Sequence, residues 1–187
     1  MSRENRLAQL LAVAWRIVRE QGTEALTLGH LAEMAEVTKP VVYDHFPSRS
    51  LLLAKLYQDF DARQTAQVDD ALRNSAPTLE ARAQVIADAY VDCVFTQGRE
   101  IPGVIAALSS SPELEVIKQD YELIFMDKCR EALDSVGDNV SLSHASLRAI
   151  LGAAEALSHA AAAGEISVDD AKNELYDLII AISKKRP

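Results

Sequence analysis

The chain has 187 residues, 49% of them apolar and 25% charged, which excludes a disordered or collagen-like chain and leaves material for a real core. Seven glycines and six prolines allow few turns, and 5% aromatics beside abundant alanine and leucine favours helices over a sheet sandwich. The net charge of −9 speaks against a polyanionic partner for the chain as a whole, but its distribution is uneven. Residues 1–55 hold seven basic and six acidic side chains, and the remainder twelve and twenty-two. That asymmetry predicts two parts with different tasks.

In chain order, Met1 to Arg6 followed by an apolar run has the outline of a signal peptide. Arg16, Arg19 and Glu20 interrupt the run at helical spacing, so the segment is expected to be the first helix of the mature protein. Leu7, Leu10, Leu11, Ala14, Trp15 and Val18 recur as one helix face, with the lone Trp15 expected in the core. Gly22 ends this helix. Thr27 can cap a second, short helix with Leu28, Leu31, Ala32 and Ala35 on its apolar face. Thr38 can cap a third, with Pro40 in the first turn, where a missing N–H costs little, and an end near His45-Phe46-Pro47. Ser48 opens a long fourth helix carrying Leu52, Leu53, Leu56, Tyr57 and Phe60.

After the break at Asn74-Ser75-Ala76-Pro77, helices are expected at about 78–98, 102–110, 112–135, 143–163 and 168–185. Ser111-Pro112 has the form of an N-cap with proline behind it, and Ser167 with Asp170 that of a capping box. No strand-like alternation occurs. The expected fold is all-α with about nine helices: residues 1–47 form a three-helix domain, and 48–187 a larger helical one, with 48–74 as the connecting helix.

The segment from Gly22 to Leu56 carries the functional information. Two short helices meet at a tight turn, and the second is too polar and too short to exist for packing alone. That is the layout of a helix-turn-helix, whose second helix enters the DNA major groove. Val42 is expected to face inward with Leu28, Leu31, Ala35 and Phe46, leaving Thr38, Lys39, Pro40, Val41, Tyr43 and Asp44 outside. Thr38 and Lys39 stand where free N–H groups favour phosphate. Val41 can touch a thymine methyl, and Tyr43 and His45 can donate to phosphate oxygens.

In Thr27, Leu31-Ala32, Ala35-Glu36-Val37-Thr38, Tyr43-Asp44-His45-Phe46 and Ser48-Arg49, residues 7–57 resemble the tetracycline-repressor (TetR/AcrR) family of bacterial transcription regulators. The resemblance implies DNA binding through Thr27, Thr38, Lys39, Pro40, Val41, Tyr43, His45 and Arg49. Two departures stand out. The usual turn glycine is Glu36, which costs about 1 kcal/mol if the backbone is left-handed there, and Gly29 inside a short helix invites close approach by backbone or DNA.

The resemblance further implies that the second domain encloses a small-molecule site and dimerises through its last two long helices. The stripes Leu147, Leu151, Ala154 and Leu175, Leu178, Ile179, Ile182 suit such a dimer interface. Tyr90, Cys93, Gln97, Tyr121, Phe125, Met126, Cys129, Glu155 and His159 are candidates to line a cavity for a largely apolar effector. The expected protein is therefore a homodimeric, ligand-responsive regulator, a repressor at a palindromic operator in double-stranded DNA. The alternatives are a helix-turn-helix protein serving protein–protein contact and a small helical enzyme.

Other chemistry finds no support. His30, His45, His144 and His159 show no metal-ligand spacing, and no GxSxG, GxGxxG or P-loop occurs, so neither metal, cofactor nor catalytic residue is expected. No run approaches the ~18 apolar residues of a membrane span. Cys93 and Cys129 are too few for a disulfide framework and lie outside any CxxC pair, which suits a reducing cytoplasm.

Overall fold

The computed structural model describes residues 2–97, 101–109, 112–136 and 141–184. Among these residues there are nine α-helices, a single 3-10 turn at Thr23–Ala25 and no strand. The helices are α1 (Arg3–Gln21), α2 (Leu28–Met34), α3 (Lys39–His45), α4 (Arg49–Asn74), α5 (Leu79–Gln97), α6 (Ile101–Ser109), α7 (Pro112–Asp134), α8 (His144–Ala163) and α9 (Val168–Lys184). Ser111 and the separators at 98–100 and 137–140 lie outside the described residues. No helix among those described is long and apolar enough to cross a membrane.

Short polar side chains set most of the helix starts. The hydroxyls of Ser2, Thr27, Ser48, Thr78 and Ser143 each accept a backbone N–H three residues on, satisfying donors that a first turn leaves bare. Ser167 accepts the Asp170 N–H at 3.0 Å and donates to the Asp170 carboxylate at 2.7 Å, so the capping pair forms side chain to side chain. Thr38 occupies the N-cap position of α3, but its side chain makes no capping bond. Gly164 closes α8 in the left-handed conformation, which only glycine adopts freely.

The chain divides into two units: residues 1–61 with 99–118, and residues 62–98 with 119–187. The first extends past the expected boundary at residue 47 because the early turns of α4 belong to its packing. Leu52, Leu53, Leu56, Tyr57 and Phe60 are all buried, and the Trp15 indole N–H donates to the Asp59 carboxylate at 2.8 Å. Within this unit α1 packs on α2, α2 on α3, and both α1 and α6 on the 3-10 turn. A Cβ on Gly103 of α6 would stand 2.5 Å from the Thr23 hydroxyl, so that approach depends on a missing side chain.

In the second unit α5, α8 and α9 pack on one another. Their shared core holds Ala83, Ile86, Val91, Phe125, Met126, Leu133, Ile150 and Leu175, among others. Ion pairs join helices around it: Lys128 to Asp69 at 2.6 Å, Arg148 to Glu122 at 2.5 Å, Lys172 to Asp92 at 2.7 Å and Lys184 to Glu80 at 3.4 Å. Asp92 and its neighbours hold the Lys172 ammonium above the usual lysine range; at Glu80, backbone donors and Lys184 lower the carboxyl.

Candidate DNA interface and the interior of the second unit

The seven residues of α3 sort cleanly by face. Val42 is fully buried, as is Phe46 just beyond the helix end. Burying a side chain of this kind contributes about 1.5–3 kcal/mol, enough to fix the rotation of a helix this short. Lys39, Pro40, Tyr43 and Asp44 are consequently exposed, at the i, i+3, i+4 spacing of one face. Val41 and His45 flank them, half-buried, and the His45 ring lies 6.2 Å from that of Phe46. Tyr43 is 51% exposed, a large aromatic side chain left at the surface.

The turn behind this helix carries the sequence's oddity. Glu36 has φ +54, the left-handed conformation that a glycine would take without strain. Gly29 of α2 lies beside Lys39 of α3. A Cβ there would lie 3.9 Å from Lys39 Cε, so the Lys39 stem runs over α2 at ordinary contact distance and carries its ammonium along that surface.

Arg49 does something other than what its position in the motif suggests. Its Nε donates to the Leu26 carbonyl and one terminal nitrogen to the Thr23 carbonyl, each at 2.8 Å, with Glu24 Oε1 3.5 Å away. The guanidinium thus closes the loop after the 3-10 turn instead of extending its fork into solvent. Thr27 is exposed, but its hydroxyl caps α2. Of the eight expected DNA-contacting residues, Thr38, Lys39, Pro40 and Tyr43 stand exposed, Val41 and His45 are half-buried, and Thr27 and Arg49 also bond to the scaffold.

The second unit corrects the sequence reading more sharply. Leu147, Leu151, Ala154, Leu175 and Ile179 belong to the core of the single chain, with exposures of 5% or less, so they are not an open face awaiting a partner. Leu178 and Ile182 are half-buried. An α8 rich in alanine and leucine is apolar nearly all round, and the larger side chains took the inner face. The exposed face of α8 carries the small residues Ala145, Ala149, Gly152 and Ala156 together with Arg148 and His159, and a Cβ on Gly152 would meet nothing within 4 Å.

Among the expected lining residues, Cys93, Phe125, Met126 and Cys129 are buried, and Tyr90 meets Phe125 edge-on with ring centroids 5.2 Å apart. Tyr121 and Glu155 are half-buried. His159 is exposed, because Ser158 takes the inward position one residue earlier, so His159 does not line this interior. The Gln97 side chain lies outside the described residues. Burial pushes the Cys129 thiol up to about 12, which makes it a small apolar group rather than a nucleophile. One polar feature escaped the sequence reading, the buried Glu122 held by Arg148; the buried hydroxyl of Ser158 has no hydrogen-bond partner among the described residues. Nothing in the spacing of Glu122 and Arg148, 26 residues apart, announces the pair.

A three-helix scaffold that presents one short helix by its polar face is a helix-turn-helix of the DNA-binding class. Residues 10–56 match the family model of bacterial regulatory proteins, tetR family, and this amino-terminal domain belongs to that family. The transcriptional activator FasR of Mycolicibacterium smegmatis is 32% identical over 95 residues, a stretch that is 50% of this chain and 42% of FasR. The whole fold is similar to that of a TetR-like transcriptional regulator from Rhodococcus sp. RHA1, with a TM-score of 0.73, 21% identity and coverage of 99% and 100% of the two chains. It is also similar to a Saccharomonospora viridis protein solved in complex with choline, with a TM-score of 0.76, 14% identity and coverage of 96% and 97%.

Proposed function

We propose that this chain regulates transcription by binding a palindromic operator as a homodimer, under the control of a small and largely apolar effector. The observation that carries the reading is the exposed Lys39-Pro40-Tyr43 face, locked in rotation by the buried Val42 and Phe46. Such a face has no packing to do, and its residue types suit phosphate and base edges. The acidic total charge is no obstacle, because the excess acid lies beyond residue 55.

Dimerisation is assigned to the small-residue stripe of α8, where Ala145, Ala149, Gly152 and Ala156 let a two-fold-related helix approach closely. The effector is assigned to the interior around Tyr90, Phe125, Met126 and Cys129, with Ser158 as a polar anchor. The choline complex of a structural relative supports a small-molecule site in this fold. The sign of regulation is carried as regulator rather than repressor, since the curated relative is named an activator; deletion of the gene with a reporter on its own promoter reads the sign directly.

The test is binding to duplexes selected from a random library, measured by fluorescence anisotropy over a salt series. Three to four phosphates neutralised per subunit give a slope of log affinity against log salt of roughly −5 to −7 for the dimer. Lys39→Ala should flatten that slope and weaken specific and random DNA alike. Val41→Ser should alter preference at one base step only. An affinity indifferent to salt overturns the reading.

A further inference from the structure

Asp44 presents a carboxylate on the same exposed face as Lys39 and Tyr43. Left bare, it would oppose the phosphate backbone that this face is proposed to meet. It is not bare. Arg3, the first residue of α1, sets one terminal nitrogen 3.0 Å from Asp44 Oδ2, and the other donates to the Asp44 backbone carbonyl at 3.1 Å. One guanidinium thereby grips both the side chain and the main chain of a single residue. The carbonyl is one of those that the end of a helix leaves without a partner, and a cation there also suits the helix dipole.

We propose that Arg3 is a phosphate-contacting residue of the DNA interface, positioned at the edge of the recognition helix by Asp44. The proposal rests on the DNA-binding reading above and adds to it a contact that lies before the matched segment 10–56. A guanidinium has five N–H donors in a planar fork, and these two contacts use two of them. The Arg3 side chain is 71% exposed, so its remaining edge faces solvent beside Asp44. Asp44 cancels its own charge against Arg3, while the fork keeps donors for a phosphate oxygen. A long side chain otherwise loses its rotamer freedom on meeting DNA; here the grip on α3 has restricted it beforehand.

The test compares the full-length protein with Arg3→Ala, Asp44→Asn and the double variant, on a duplex selected by the wild type and on a scrambled duplex. Arg3→Ala should weaken both by about 3–10-fold near 0.1 M salt and make the salt slope shallower by about one per subunit. Asp44→Asn should improve binding in the Arg3→Ala background. With Arg3 present it should improve binding less, or weaken it, because the grip is lost with the carboxylate. A lysine in place of Arg3 should restore the slope. Thermal unfolding serves as the control for fold and should move little, since both partners are exposed. An unchanged slope in Arg3→Ala overturns the phosphate contact while the Lys39→Ala result leaves the DNA reading intact. An equal effect of Asp44→Asn in both backgrounds overturns the positioning role. If the wild type selects no duplex, both readings fall together.

Discussion

The two units use their cations differently. In the first, arginines fasten helices by donating to backbone carbonyls: Arg49 to Leu26 and Thr23, Arg16 to Met34, and Arg3 to Asp44, with Arg3 and Arg49 also facing the carboxylates of Asp44 and Glu24. In the second, Lys128, Arg148, Lys172 and Lys184 fasten helices by pairing with carboxylates, and Arg82, which donates to the Leu72 carbonyl, is the exception. A cation bound to a carbonyl keeps its full charge, and one bound to a carboxylate is neutralised. The first unit, with nine basic and eleven acidic side chains, carries only −2 of the net charge of −9, and the second, which carries −7, sets its cations against its own carboxylates.

The largest effects should come from the second unit. Leu151→Glu puts a charge into the core with no partner and should cost several kcal/mol, seen as loss of helical signal and aggregation in sizing experiments. Gly152→Glu, one residue on, points into open space. It should leave the fold intact and, if α8 forms the dimer, yield a folded monomer that loses specific DNA binding. A folded Leu151→Glu dimer would contradict the packing described.

In the first unit, Arg49→Ala removes two charged donors from the Leu26 and Thr23 carbonyls. The expected loss is about 1–2 kcal/mol, read as a lower denaturation midpoint in urea. Loss of DNA binding without loss of stability would show instead that Arg49 serves phosphate. Smaller still, and of opposite sign, Glu36→Gly relieves the left-handed backbone and should stabilise by about 1 kcal/mol.

The smallest effect is a chemical one. With its thiol raised to about 12, Cys129 should resist alkylation at pH 8 in the folded protein and react once unfolded. The sign of its pH dependence follows. Below about pH 9 both states keep the proton and the thiol's contribution is complete; as pH rises from there towards 12, the unfolded state loses its proton first and stability falls. Fast labelling of the native protein at Cys129 would mean the core opens readily.

How legible each unit was depends on how its residues are constrained. The helices of both units follow from apolar periodicity and from serine and threonine at their starts. The α3 face was legible because a seven-residue helix with one buried valine leaves no choice of rotation. The inner face of α8 was legible too, as the stripe Leu147, Ile150, Leu151, Ala154, Ser158 and Ala161; what periodicity leaves open is whether such a face is covered by its own chain or by a partner. The scaffold bonds of Arg49 were hidden for another reason. Its acceptors are backbone carbonyls, which every residue has and no sequence pattern marks. The Trp15–Asp59 and Arg148–Glu122 pairs, 44 and 26 residues apart, are equally silent until the chain is folded.

Trp15 is the chain's only tryptophan, and its buried indole donates to Asp59 within the first unit. Emission excited at long ultraviolet wavelength therefore reports on that unit alone, while far-ultraviolet dichroism sums the helices of both. No label or engineered reporter is needed to follow the two separately. If the two signals melt together, the chain unfolds as one cooperative body; if the emission shift and the dichroism part company, each unit has its own transition.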